Sequence, residues 1–412
     1  MVLGVFILFF VSGASTRALA ETGAAKNYCM ECHEDIARDS EGSIHTQQGI
    51  ACVDCHGGDP TTDDVDIAKA PEKGFIGKPN KTQIAEKCGA CHSDVEKMNF
   101  YGIATDQLAR YKTSHHGKKL FSEGDEHVAV CSDCHGFHNV VAVTDPGSPV
   151  YPSNLPKTCD RCHGDEKLMA PRNIPSDIFK KYEGSVHGVA LYQKHDLSVA
   201  QCASCHGSHG AVPPGVKDVA TTCGKCHANE KKHFLESVHA EVQKQGKFNE
   251  CISCHSNHDI HKPTPALYAE ACIKCHEAGS VEYLQGQKIA DTIQKANTSL
   301  AEVETLVKQA SIEGIFVEDE MAVLENIKTD VISIGPIQHT LSAKGIAELY
   351  GKIKSGVSEI DDSIRQKRSN LSRRKWALLP IWIFIFIMAA AFMEKYKELM
   401  KKKKDGDKHG TH

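Results

Sequence analysis

All 18 cysteines of this 412-residue chain fall in C-x-x-C pairs, and each of the nine pairs is followed at once by histidine. The motifs are Cys29-Cys32-His33, Cys52-Cys55-His56, Cys88-Cys91-His92, Cys131-Cys134-His135, Cys159-Cys162-His163, Cys202-Cys205-His206, Cys223-Cys226-His227, Cys251-Cys254-His255 and Cys272-Cys275-His276. Histidine occupies only 24 of 412 positions, so nine such coincidences are not chance. The spacing has a physical logic. Thiols separated by two residues match the vinyl groups along one porphyrin edge, to which they add as thioethers, and the next imidazole then lies beneath the ring and ligates the iron. Zinc knuckles also use C-x-x-C, but they do not need histidine at the same place every time. A redox dithiol needs one such motif, not nine. The cysteines are therefore expected to attach nine haem c groups, with the nine motif histidines as proximal iron ligands.

A longer unit repeats across the same region: S-x-H, then one C-x-x-C-H, then a second. Ser43–His45 precedes the motifs at Cys52 and Cys88, and Ser114–His116 those at Cys131 and Cys159. Ser185–His187 precedes Cys202 and Cys223, and Ser237–His239 precedes Cys251 and Cys272. The leading motif at Cys29 stands outside these four units. The last three units add a histidine three residues beyond the first proximal one (His138, His209 and His258), where the first unit has Asp59 nearby.

The sixth iron ligand decides the chemistry. Methionine raises a haem's potential, whereas a second histidine leaves it low. Between residues 29 and 276 the methionines are Met30, Met98 and Met169, and Met30 is locked inside a motif. Most irons must then take histidine. The recurring His45, His116, His138, His187, His209, His239 and His258 are the distal candidates. His115, His127, His195, His233, His261 and His339 compete for the remaining two places; His339, beside Gly335-Pro336, is read as an ordinary helix-surface residue, the alternative being a haem cap at the bundle interface. Saturated bis-histidine coordination leaves no open position for substrate. The expected chemistry is outer-sphere electron transfer with no catalytic residue, the protein fixing spacing and tuning potential.

Aromatics make up 6% of residues, too few for a side-chain core around motifs this dense. Porphyrins are expected to be the interior, wrapped by short helices and loops. The fold class is mainly α with much irregular loop. Five segments follow: a signal peptide over 1–20, ending in Ala18-Leu19-Ala20; a nonahaem domain over 21–280; a helical bundle or stalk over 281–372; a transmembrane helix over 373–395; and a basic cytoplasmic tail over 396–412. In the stalk, apolar residues recur at helical spacing, as in Ile289, Ile293, Ala296, Leu300, Val303 and Val307. Gly335-Pro336 should kink or end its second helix. Trp376–Met393 is almost wholly apolar and flanked by Arg373-Arg374-Lys375 and by Lys401–Lys404, which suits one crossing. Haem is attached outside the cytoplasm, so the motif region should face the periplasm or the exterior of an inner-membrane anchor. The formal charge of −5 gives no nucleic-acid signal. Haem propionates would add negative charge and favour partners with basic docking faces.

On these motifs the chain resembles the multihaem cytochromes c with doubled C-x-x-C-H, common in anaerobic respiration. The resemblance implies bis-histidine electron-transfer haems. The C-terminal helices and anchor are similar to the cytochrome c subunits of membrane quinol-oxidising complexes. That implies a membrane quinol-oxidising partner, such as a b-type cytochrome subunit, and periplasmic cytochromes as acceptors. All nine motifs end in histidine, so the C-x-x-C-K of pentahaem nitrite reductases is missing. Segment 376–393 holds no histidine for a b-type haem. The competing expectation is a reductase of a small nitrogen or sulfur oxyanion at one five-coordinate haem.

Overall fold

A computed structural model describes residues 27–212, 219–246 and 248–406. The expected signal peptide and the tail histidines His409 and His412 lie outside the described residues. About 67% of the described residues are helical, and no strand occurs among them. The chain divides into two compact units, Met1–Phe179 with Ala190–Val212, and Lys180–Val189 with Pro213–His412.

The first unit carries the first six motifs on short helices: Tyr28–Cys32, Cys52–His56, Lys81–His92, Cys131–His135, Leu155–His163 and Cys202–His206. Its largest cluster of buried apolar side chains has five members, Ala85, Tyr111, Leu120, Val128 and Val130. So small a core fits an interior designed for something other than side chains. The second unit carries the last three motifs on or next to Val219–Cys223, Glu250–His255 and Leu267–Cys272.

Three long helices follow: α1 (Val281–Ile312), α2 (Glu318–Ile337) and α3 (Ala343–Ala377). They fold back on one another around fifteen buried residues, among them Ile289, Val303, Ile327, Ile346, Ile353, Ile360 and Ile364. The expected periodic stripe supplies this core, each buried isoleucine contributing on the order of 2 kcal/mol. Gly356 lets α3 approach α2, since a Cβ there would stand 3.0 Å from Ile327 Cγ1. Glu320 of α2 is buried and accepts from Lys367 Nζ (2.8 Å) and Ser363 Oγ of α3. Burial would raise its carboxyl pKa, but those hydrogen bonds outweigh it and the net shift is downward. α2 runs one residue past Pro336 before a 3-10 turn at Gln338–Thr340.

After Leu378 the chain continues as α4 (Leu379–Gly406). One continuous stretch, Ala343–Lys402, contains an 18-residue window of mean hydropathy 2.3 with none of it buried. Among the described residues this is the single helix long and apolar enough to cross a membrane. Its apolar side chains, including Trp382, Phe384 and Phe386, face outward, as lipid contact requires.

Candidate functional site

The repeat seen in the sequence has a local structural cause at each position. In S-x-H the serine is buried in all four units: Ser43, Ser114, Ser185 and Ser237. The first three serines are N-caps that accept from the first turn of a helix, Ser43 Oγ from the His45 N–H (3.3 Å), Ser114 from Gly117 (2.9 Å) and Ser185 from Gly188 (3.1 Å). The histidine sits on the first turn of that helix in each unit, its direction fixed by the cap in the first three, while Ser237 makes no side-chain cap bond in the fourth.

The first C-x-x-C-H of each unit is also self-capped. The residue before its fourth position reaches back to the N–H preceding or near the first cysteine: Asp54 to Ala51 (2.7 Å), Asp133 to Val130 (2.8 Å), Ser204 to Gln201 (3.1 Å) and Ser253 to Asn249 (3.0 Å). The helix then stops at the proximal histidine. The next residue takes a left-handed φ with extended ψ at Gly57 (70°, −161°), Gly136 (82°, −179°), Gly207 (84°, 162°) and Ser256 (65°, −170°). That region belongs to glycine, and the fourth unit occupies it with serine.

These elements bring imidazoles together in pairs. Each S-x-H histidine faces the proximal histidine of the second motif in its own unit. Ring centroids are 6.2 Å apart for His45–His92, 6.1 Å for His116–His163, 6.3 Å for His187–His227 and 6.1 Å for His239–His276. The C-H-x-x-H histidine instead faces the first proximal histidine of the preceding unit: His138–His56 at 6.4 Å and His209–His135 at 6.1 Å. A backbone clasp accompanies this offset. The N–H of the residue between serine and histidine donates to a carbonyl two residues beyond the next unit's C-H-x-x-H: Ile44 to Val140 (2.7 Å), His115 to Ala211 (3.0 Å) and Val186 to Ile260 (2.8 Å). His258 is half-buried and its N–H donates to Asn257 Oδ1 (2.7 Å).

The separation suits a metal between the rings. With metal–nitrogen bonds of about 2.0 Å and each ring centroid about 1.1 Å further on, two trans imidazoles hold their centroids about 6.2 Å apart. Direct packing of two rings would not hold one distance through interplanar angles from 7° to 62°. The rings are also in the ligating form. Burial, followed by the facing imidazole, lowers the pKa of His45, His187 and His239, and takes His116 to about 4. They stay neutral at physiological pH. His56 Nδ1 donates to Gly77 O (2.8 Å) and His206 Nδ1 to Val212 O (3.3 Å), which leaves Nε2 for a metal.

The remaining histidines divide clearly. His115, His127, His195 and His261 are exposed, and His233 bonds Glu236 (3.2 Å). His33 is exposed and faces no second histidine ring among the described residues. His339, for which a helix-surface place is the preferred sequence reading and a haem cap at the bundle interface the alternative, lies 6.1 Å from His255, centroid to centroid. Its place outside the repeat weakens the signal, which is its position just past Pro336.

The thiols run in chain order. Cys29 is close enough to Cys52, and Cys55 to Cys91, for each first-named thiol's pKa to rise, by burial first and its neighbour's charge second or later. Cys131 beside it raises the Cys88 thiol, and Cys202 raises Cys159, while burial and then Cys159 push Cys134 up to about 11. In the second compact unit Cys223 raises the Cys251 thiol, and burial and then Cys272 raise Cys254. Within each compact unit every motif thus adjoins the next motif in sequence. No cluster of three or more histidine, cysteine, aspartate or glutamate side chains among the described residues forms a cage for a bare metal ion. The donor set fits a flat prosthetic group with one axial ligand on each side.

No family model and no solved structure matches the chain. Among curated proteins, it is 26% identical to "Multiheme cytochrome MtrA" of Shewanella baltica over 144 residues, 34% of this chain and 32% of that protein. It is 25% identical to "C-type polyheme cytochrome OmcC" of Geobacter sulfurreducens over 209 residues, 43% of this chain and 25% of that protein. The matched stretches thus span a third or less of these relatives' lengths.

Proposed function

We propose that the chain is a membrane-anchored multihaem c-type cytochrome that binds nine haems and carries electrons between a membrane quinol-oxidising partner and periplasmic acceptors in anaerobic respiration. The observation that carries this reading is the order of the thiols: in each compact unit, successive motifs adjoin one another, so groups held there would be neighbours in chain order. The two relatives, both multihaem cytochromes by name, support the cofactor class. Haem c, when bound, supplies a one-electron iron couple at each site. The chain's own residues do the rest. The motif cysteines would tether each haem, the motif histidines would ligate its iron, and His45, His116, His138, His187, His209, His239 and His258 would supply the second histidine ligand. Capped helix starts and backbone clasps hold those rings at fixed separation, so little reorganisation accompanies a change of charge. Partial burial of those rings would help tune the potential.

The apolar helix α4 tethers the protein to the cytoplasmic membrane, with the motif region outside. A b-type cytochrome subunit in the membrane would supply electrons, and soluble periplasmic cytochromes would receive them. Protein-film voltammetry on the purified holoprotein tests the assignment. Reversible exchange over a broad span of low potential, unchanged by nitrite or sulfite, is the expected result. One observation favours the second reading, a reductase of a small nitrogen or sulfur oxyanion: His33 faces no histidine ring among the described residues. A catalytic current with either oxyanion, lost on changing His33 alone, would establish that reading instead.

A further inference from the structure

We infer that His339, carried by the helical bundle, is the sixth ligand of the haem whose proximal ligand is His255. This rests on the haem-binding reading above and extends it to a residue outside the motif region. The argument starts from the repeat. The first proximal histidine of a unit is faced by the C-H-x-x-H histidine of the following unit, as His56 is by His138 and His135 by His209. His255 is the first proximal histidine of the last unit, and no fifth unit follows it. By the rule its iron would lack a distal histidine. The bundle supplies one: the His339 ring stands 6.1 Å from His255 at an interplanar angle of 30°, the separation of the other six pairs.

The local structure is built to aim that ring. Pro336 cannot donate a backbone hydrogen bond, so α2 ends just past it and tightens into the turn Gln338–Thr340. His339 Nδ1 donates to the carbonyls of Gly335 (3.1 Å) and Pro336 (3.2 Å) at the helix end, which leaves Nε2 for a metal. Gln338 fixes the turn from both sides. Its Nε2 donates to Gly335 O (2.9 Å), and its Oε1 accepts from Tyr268 Oη (3.0 Å) on the helix that leads into the last motif. The bundle thus stands where the next repeat would be, and folding it completes the coordination of the iron at His255.

The test uses detergent-purified, fully haem-loaded protein and counts high-spin haem by EPR and magnetic circular dichroism. His339→Ala should add one high-spin haem per chain relative to the unchanged protein. Added imidazole should return it to low spin. His339→Met should keep the iron low-spin and show a methionine–iron charge-transfer band with one haem shifted to higher potential. His261→Ala, an exposed histidine in the same unit, should change neither readout. An unchanged spin count in His339→Ala overturns the inference. If the alanine variant does not accumulate, His339→Met decides: absence of the charge-transfer band with all haems unchanged overturns it equally. Failure of the underlying reading looks different, because the unaltered protein would then carry no haem absorbance at all.

Discussion

Ser256→Gly should stabilise the protein, while Gly136→Ala should destabilise it by a similar amount. The two residues hold the same place, directly after the first proximal histidine of a unit, with φ and ψ of 65° and −170° at Ser256 and 82° and −179° at Gly136. A side chain in that region costs about 1–3 kcal/mol. Glycine loses part of that advantage, because it is freer in the unfolded chain by about 0.4–1 kcal/mol. The net is about 0.5–2 kcal/mol in each direction. Neither site has a confounding contact. An added Cβ at Gly136 would meet nothing closer than Asn139 O at 3.5 Å, and the exposed Ser256 side chain makes no hydrogen bond to be lost. Gly57→Ala should be worse than either, since its Cβ would fall 2.0 Å from Gly74 O. Denaturant unfolding of the holoprotein, followed by far-ultraviolet circular dichroism, reads the ordering. A Ser256→Gly variant less stable than its parent, or a neutral Gly136→Ala, would refute the reasoning that this turn is set by backbone conformation.

Three further outcomes follow from other parts of the fold. Lys367→Met strands the buried Glu320 carboxylate, which should destabilise the bundle by about 1–3 kcal/mol, less than a fully buried pair because Lys367 is partly exposed. Because the Glu320 pKa is lowered in the folded state, its stabilising contribution is complete above the ordinary carboxylate range and is lost as pH falls through the depressed value; acid titration of helicity should show that loss in the parent and not in Glu320→Gln. His116→Ala should convert one haem, that of His163, to high spin, and an unchanged spin count would remove this pairing from the account. Ending the chain before Arg373 should release haem-loaded protein from the membrane fraction, which centrifugation after cell lysis checks directly.

Much of this was legible in the sequence because the chemistry is local. C-x-x-C-H and S-x-H declare themselves within a few residues, and the capping serines and the Asp or Ser inside each motif are short-range devices. The periodic isoleucines of α1 to α3 also announce a bundle without reference to anything distant. What the sequence withheld is pairing. That His138 faces a histidine one unit back, and not one in its own unit, depends on contacts across 82 positions of chain, from 138 to 56. His339 was harder still. It belongs to no repeat, so a haem cap there stands only as the alternative to a helix-surface place until the turn after Pro336 is seen to bring its ring to His255. Ser256 shows the converse, a position where the repeat's rule of glycine is broken and the backbone keeps the glycine conformation regardless.

The most direct test of the central claim is the intact mass of the exported, mature chain together with its haem content by pyridine haemochrome assay. The account predicts a polypeptide heavier than its sequence by nine haem groups, one for each C-x-x-C-H motif, retained after denaturation. A colourless protein, or a mass equal to the bare processed chain, would contradict it.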